Sequence, residues 1–317
     1  MDGTENWPDA IADGQRLLVA ASTGGHLDEM VRLSDSLGMA KDSMWVTFDT
    51  PQSRSILSGK PTHFLDYISP RDARAVAKGA SSIFRLLQND DGFDGAVSTG
   101  AAIALSVLPV ARYFNLPAIY IESSCRFDSP SLTGRIMERL PGIVCLSPGA
   151  PWTKRWKHGP SLLGRYEVQR ANPEFNPKLF VSLGTIRPYR FDSLIDAVCA
   201  TGMVDERTIW QVGATQRVDL PGTVVPEMSV EAFEHHIDDC DAVITHAGIG
   251  NVLRIIERGK FPIVVPRRKS QGEHVDDHQL ELCKAVIQGG IGLVCEPREL
   301  TAESIISATS RKIVRKT

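Results

Sequence analysis

Nowhere in the chain do about 18 apolar residues run together, the length a helix needs to cross a bilayer, so a transmembrane reading is excluded. Neither sign of charge is in excess. The 35 basic and 38 acidic residues leave a formal net charge of -3, which removes any global electrostatic argument for binding nucleic acid or an anionic membrane. No C-x-x-C pair occurs; Cys125, Cys145, Cys199, Cys240, Cys283 and Cys295 are scattered, several of them in apolar runs, and read as reduced core thiols. The first fifteen residues are acidic and polar and lack the apolar stretch of a signal peptide. No loop continues as G-x-x-x-x-G-K-[ST], and Gly248-x-Gly250 lacks the third glycine of a dinucleotide fingerprint. ATPase and simple dehydrogenase readings lose ground accordingly. The expectation is a cytoplasmic protein whose membrane contact, if any, is peripheral, at the inner face.

What is present is an alternation. From Arg16 onward, short runs rich in Val, Ile and Leu alternate with segments of helical periodicity, the pattern of parallel sheets covered by helices. Strands are expected at residues 16–21, 44–48, 62–67, 95–98, 118–122 and 143–146, and again at 178–182, 208–212, 242–245, 263–266 and 291–295. A last helix is expected at residues 302–315. The segment 148–177, with five prolines, breaks the rhythm as an inter-domain connection does. The expected division is a polar tail 1–15, a first Rossmann-like domain 16–165, a linker 166–177 and a second Rossmann-like domain 178–317. The fold class is α/β.

Four expected strand ends run into small-residue loops: Ser22-Thr23-Gly24-Gly25-His26, Ser98-Thr99-Gly100, Ser182-Leu183-Gly184-Thr185 and His246-Ala247-Gly248-Ile249-Gly250. Ligands of open α/β sheets bind at such strand ends, where glycine admits close approach and the N-terminus of the next helix suits an anion. Each loop alone is equally well explained as a tight turn. His26 stands where a strand gives way to a helix and is suited to take a proton from a hydroxyl near neutral pH; the competing role is a local hydrogen bond or cap. Beyond the strand ending at Pro266, the sequence is basic and then polar. Arg267 and Arg268 suit a diphosphate, and Asp277, His278 and Gln279 suit sugar hydroxyls, unless the loop is merely solvated. His274 and His278 share a helix face, but no third metal ligand is evident. Asp239-Cys240-Asp241 has the D-x-D form of metal-dependent transferases, yet it precedes a strand and is discounted. Pro151–Lys157 offers Trp152, Lys154, Arg155, Trp156 and Lys157 as a peripheral membrane patch, or else a connection whose tryptophans pack inward.

The stretches 22–27, 121–126 and 131–135 resemble the membrane-recruiting subunit of the eukaryotic transferase that adds the second N-acetylglucosamine to dolichol diphosphate. Residues 180–185, 245–250 and 277–282 resemble its catalytic, donor-binding subunit and bacterial exopolysaccharide transferases. Both halves lie here on one chain. The resemblance implies glycosyltransferase family 28 and the GT-B fold, two Rossmann-like doubly wound domains facing across a cleft, with a UDP-sugar donor, no cofactor and no catalytic metal. It implies Ser182, Gly184 and Thr185 at the diphosphate, His246, Ala247, Gly248, Gly250 and Asn251 at the nucleotide, and Asp277, His278 and Gln279 at the donor sugar. His26 and Glu122 become the catalytic pair, with Thr23, Gly24, Gly25, Thr99, Gly100, Ser123 and Arg126 lining the acceptor side. Where related donor domains carry a glutamate for the ribose hydroxyls, this chain has Arg254, with Glu257 one turn further on. The expected reaction is inverting transfer of N-acetylglucosamine, glucuronate or a hexose to a lipid-linked acceptor in surface-polysaccharide synthesis. A UDP-sugar epimerase on the same fold and a non-catalytic nucleotide-sugar-binding subunit are the alternatives.

Overall fold

The computed structural model describes residues 13–316 except Pro70, Cys125, Phe127, Ile186, Asp276 and His278. The chain forms two compact units, the first ending at Leu162 and the second beginning at Leu163.

The first unit runs β1 (Leu17–Ala20), α1 (Gly25–Ser34), β2 (Met44–Phe48), α2 (Pro51–Ile56), β3 (Thr62–Leu65), α3 (Ala73–Asn89), β4 (Gly95–Ser98), α4 (Ala102–Tyr113), β5 (Ala118–Ile121), α5 (Leu132–Met137), β6 (Ile143–Ser147) and β7 (Trp156–His158). Its seven strands lie in the order β3-β2-β1-β4-β5-β6-β7 and pair in parallel. Strands β1, β4 and β5 are buried at every residue. That explains why they read as continuous apolar or small-residue runs rather than as alternating patterns.

The second unit opens with β8 (Tyr166–Arg170). It continues β9 (Leu179–Ser182), α6 (Asp192–Ala200), β10 (Ile209–Gln211), β11 (Thr223–Val225), α7 (Val230–Asp239), β12 (Ala242–His246), α8 (Ile249–Glu257), β13 (Ile263–Val265), α9 (Gln279–Gly289), β14 (Leu293–Val294), α10 (Ala302–Thr309) and β15 (Arg311–Arg315). Six strands form a parallel sheet in the order β11-β10-β9-β12-β13-β14. In each sheet the chain moves outward one way, returns to the middle and moves outward the other way, which is the doubly wound topology. The reversal falls between β1 and β4 in the first unit and between β9 and β12 in the second.

Three expectations are corrected. Residues 166–170 are not part of a linker, because β8 pairs antiparallel with β15 and so belongs to the second unit. The expected helix to residue 315 stops at Thr309, and Arg311–Arg315 is strand, with Ile313 buried between exposed basic residues. Of the two aromatic residues in the proposed membrane patch, Trp156 is buried and Trp152 is half-buried. Trp156 is 3% exposed and packs edge-on against Tyr120 at 6.1 Å, and Trp152 packs edge-on against Trp156 at 4.8 Å. Only Lys154, Arg155 and Lys157 of that patch are exposed. Among the described residues, no helix is long and apolar enough to cross a membrane. The expected tail lies mostly outside the described residues, as does Cys125.

Since Trp156 belongs to the core of the first unit, Trp156→Ala should lower its stability by about 3–5 kcal/mol. Chemical denaturation measures this, and an unchanged midpoint would return Trp156 to the surface.

Candidate functional site

The two reversal points carry the two histidines that the strand-end loops contain. In the first unit, β1 ends, the chain turns through Thr23 and Gly24, and α1 begins with Gly25 and His26. His26 Nδ1 lies 2.9 Å from the carbonyl of Thr99, which follows β4, and Thr99 Oγ1 donates back to the His26 carbonyl at 2.9 Å. A carbonyl only accepts, so the proton of the neutral ring sits on Nδ1 and Nε2 is left with its lone pair. Burial lowers the His26 pKa, the Thr99 bond opposes, and the positive charge of Arg126 pushes the same way as burial. The ring is therefore neutral at pH 7 and able to accept a proton. His26 does not cap its own helix: no side chain caps α1, whose N-cap is Gly24.

Glu122, named with His26 as catalytic, is placed differently. It is 2% exposed. Its Oε2 accepts from Ser131 N at 2.8 Å, and its Oε1 accepts from Tyr120 Oη at 3.2 Å and Ser123 N at 3.3 Å. Both oxygens are thus committed to neighbouring chain, and Glu122 serves as an anchor for the segment after β5.

In the second unit, Ser182 closes β9 and is buried. Its hydroxyl donates to Gln211 Oε1 at 2.6 Å and accepts from Asn251 Nδ2 at 2.9 Å, tying the ends of β9 and β10 to α8. His246 closes β12, with its ring against the backbones of Gly184 and Gly248. A Cβ on Gly184 would stand 2.5 Å from the imidazole, one on Gly248 would also collide with it, and Gly184 has φ of +78°. Both glycines are needed because a side chain of this same unit takes the space. Burial brings the His246 pKa down to about 3, with Arg267 next in effect. His246 Nδ1 has no hydrogen-bond partner among the described residues.

Arg267 corrects an expectation. It is 0% exposed, and its guanidinium donates to the carbonyls of Leu183 (2.6 and 3.2 Å), Tyr189 (3.1 Å), Arg190 (3.2 Å) and Glu273 (2.9 Å). The Phe191 ring lies 4.8 Å from it. Burial pulls its pKa down to about 10, so it remains charged at neutral pH, but the group is fully buried and its hydrogen bonds run to backbone carbonyls of its own unit. Arg268 is paired with Glu296. The polar residues beyond also fold their own loop: Gln279 Oε1 accepts from Arg267 N at 2.9 Å and Asp277 Oδ1 from Lys269 N at 3.0 Å. His278 lies outside the described residues. Arg254 faces Glu234 at 3.2 Å.

Helix N-termini are the remaining anion-binding elements. Side chains cap α2, α3, α5, α7 and α10. Helices α1, α4, α6 and α8, which follow the strands at the two reversal points, have no side-chain cap. No N-cap side chain covers their positive dipole ends, although Gly24 N of α1 donates to Gln52 Oε1 and Gly248 N of α8 to the His246 carbonyl. Sequence reasoning missed a cavity of about 640 Å³ in the second unit, at the ends of β9, β10 and β11, lined by Arg187, Val212, Gly213, Thr215, Arg217 and Pro226, among others. The signal was the turn Val212-Gly213-Ala214 after an apolar strand. Asp239 and Asp241 lie at the opposite ends of the strands, bonded to Lys178 Nζ (2.5 Å) and Lys178 N (2.8 Å). Among the described residues no cluster of metal-ligating side chains occurs.

Two doubly wound units on one chain are the architecture of the GT-B class. Residues 221–316, which lie within the second unit, match the model of the glycosyltransferase family 28 C-terminal domain. The chain is 35% identical over 156 residues to the UDP-N-acetylglucosamine transferase subunit ALG13 of Homo sapiens, a match that takes in 42% of this chain and 12% of the human protein. It is 24% identical over 301 residues to the UDP-N-acetylglucosamine--N-acetylmuramyl-(pentapeptide) pyrophosphoryl-undecaprenol N-acetylglucosamine transferase of Synechococcus sp. (strain CC9311), covering 87% of this chain and 82% of that one. Among solved structures, MurG of Acinetobacter baumannii superposes with a TM-score of 0.59 at 17% identity, over 92% of this chain and 89% of that chain.

Because Arg267 leaves four carbonyl groups without a donor when removed, Arg267→Ala should destabilise the second unit by on the order of 3 kcal/mol or more. Thermal unfolding would show it; a variant of full stability that had lost only anion affinity would make Arg267 a ligand after all. His246 has its own signature. Its folded pKa, about 3, lies below the ordinary value of about 6.5, so the unfolded chain binds the proton first. Its contribution is complete above about 6.5 and is lost as pH falls towards 3. His246→Asn should flatten that acid-side decline in denaturation midpoints, and an unchanged slope would contradict it.

Proposed function

We propose that this chain is an inverting glycosyltransferase that moves a sugar (N-acetylglucosamine, glucuronate or a hexose) from a UDP-sugar to a hydroxyl of a polyprenyl-diphosphate-linked saccharide. His26 carries the reading. A neutral imidazole, its proton held on Nδ1 by Thr99, is a general base awaiting a hydroxyl proton. It stands on the unit opposite in sequence to the family 28 domain, which divides acceptor activation from donor binding as two substrates require. The relatives' printed activities, transfer of N-acetylglucosamine and in one case to a pyrophosphoryl-undecaprenol acceptor, support the donor class and the lipid-linked acceptor.

The acceptor oxygen bonds to the anomeric carbon as the bond from that carbon to the diphosphate breaks, and the proton passes to His26 Nε2. Attack from the face opposite the leaving group inverts the configuration. UDP departs with the bonding electrons. Its charge is met by the N-terminus of α8 beside Gly248, Gly250 and Asn251 and by the backbone at Gly184 and Thr185, in place of a cation. Arg267 acts on this arrangement only by holding the Leu183 carbonyl. The cavity at Val212–Thr215 and Pro226 suits the base and ribose, a role that would substitute for the glutamate whose place Arg254 takes. With Asp239 and Asp241 engaged by Lys178 at the far strand ends, the D-x-D sequence contributes nothing to the diphosphate. The reaction therefore proceeds in the presence of a chelator.

Calorimetry with a panel of UDP-, GDP- and TDP-sugars, without metal, should show selective UDP-sugar binding, and binding of none would sink the donor assignment. His26→Ala should cut turnover by about 10²–10⁴-fold while leaving UDP affinity unchanged; intact activity would remove His26 from the mechanism. Since burial lowers the His26 pKa, the base form persists to more acidic pH than for an ordinary imidazole. The acid limb of kcat/KM should accordingly fall below about 6.5. A limb at or above that value would assign the proton to another group.

A further inference from the structure

Glu29 is used by no step above, and it is the most deeply buried carboxyl group near His26. It lies one turn beyond His26 on α1, on the helix face that carries Leu27, Met30 and Leu33 into the core, and is 1% exposed. Ser123 Oγ donates to its Oε1 at 3.0 Å, and the backbone N–H of Ser124 also bonds it. The same stretch of chain is gripped from the other side by Glu122, which takes the N–H groups of Ser123 and Ser131, while Tyr120 Oη and Ser131 Oγ lie 3.1 Å apart. Two carboxyl groups that water does not reach thus face one short segment. Like charges in such a place cannot both ionise cheaply. The charged and titratable groups around Glu29 are Glu122 from the end of β5, and His26 and Arg32 on its own helix, with Arg126 acting on His26.

We infer that Glu29 is a positioning residue that ties Ser123 and Ser124 of the acceptor-side segment to the helix carrying His26. It touches no reacting atom. Its work is to keep Ser123, Ser124 and the imidazole in one rigid arrangement, so that an acceptor seated by that segment presents its hydroxyl to Nε2. Burial pushes the Glu29 carboxyl up to about 8; the Ser123 bond opposes this, and Glu122 adds to it. The sign follows. The folded chain keeps a proton that the unfolded chain loses above about 4.3, so the contribution of this carboxyl is complete below about 4.3 and is lost as pH rises to about 8, where a second negative charge appears beside Glu122. The carboxylate then gains by swinging towards water, and the tie to Ser123 opens.

The inference rests on the proposed transferase reading only for its activity measurement. Full-length wild type, Glu29→Gln and Glu29→Ala would be compared by amide hydrogen exchange at Ser123, Ser124 and Ser131 near pH 6.5 and pH 9, corrected for intrinsic rates, together with UDP affinity and turnover. Gln copies the neutral carboxyl. It should keep wild-type turnover, remove the alkaline limb near pH 8, and keep these amides protected at both pH values, whereas wild-type protection should fall about tenfold at the higher pH. Ala should lose protection at both and lose about a hundredfold in kcat, with UDP affinity unchanged. The inference is overturned if Gln behaves as Ala does, or if wild-type protection is the same at both pH values. Should Glu29→Ala fail to fold, the Gln and wild-type exchange data decide alone. The expected exchange pattern in a protein with no transferase activity would count against the proposed function and for the tie.

Discussion

The second unit depends on one buried cation. Arg267 sits at the end of β13 with no solvent exposure, and its guanidinium gathers the carbonyls of Leu183, Tyr189, Arg190 and Glu273. Those carbonyls come from the segment after β9 and the turn after β13, which Arg267 ties to one another. Taking a charge out of water is costly unless it is met by several hydrogen bonds, and Arg267 is met by five. With Leu183 fixed, Gly184 is fixed, and the His246 ring has one place to lie, between Gly184 and Gly248. The N-terminus of α8 is aimed by that stack. A residue expected to meet a phosphate directly thus holds loop backbone instead.

The first unit uses carboxyl groups for the same purpose. Glu122 gathers N–H and O–H donors where Arg267 gathers carbonyls, and it fixes the chain after β5 beside the helix of His26. Each unit therefore places a histidine at its topological reversal and surrounds it with a polar residue that holds loop backbone. The histidines differ in their hydrogen bonds. His26 has its tautomer set by Thr99 and so keeps a basic nitrogen, whereas His246 is wedged by glycines and held neutral far into acid. One is suited to proton transfer and the other to filling space beneath a ligand loop.

The buried parallel strands and the Gly loops were legible in the sequence, because a strand covered on both faces must be apolar throughout and a tight turn to a helix must be small. The short edge strands β7, β8, β11 and β15 were not. In β15, Arg311, Lys312 and Arg315 surround the buried Ile313, and the composition continues that of a helix; its pairing with β8 lies more than 140 residues away in sequence. His26 could be identified from its position, but Nε2 as its basic atom needed the Thr99 carbonyl, 73 residues distant. Arg267 and Glu122 were recognised as important polar groups and given the wrong partners, since sequence shows a charge but not what surrounds it. Glu29 was legible and overlooked: a carboxylate among Leu27, Met30 and Leu33 on the buried face of α1 was the sign.

The account stands or falls on what happens to the donor sugar. The decisive measurement is product analysis by NMR after mixing the protein with its selected UDP-sugar, with and without a short-chain polyprenyl-diphosphate-linked saccharide, in the presence of a chelator. The account predicts a new glycosidic bond of inverted anomeric configuration, formed only when the acceptor is present. A donor sugar converted without acceptor, or a product of retained configuration, would contradict it.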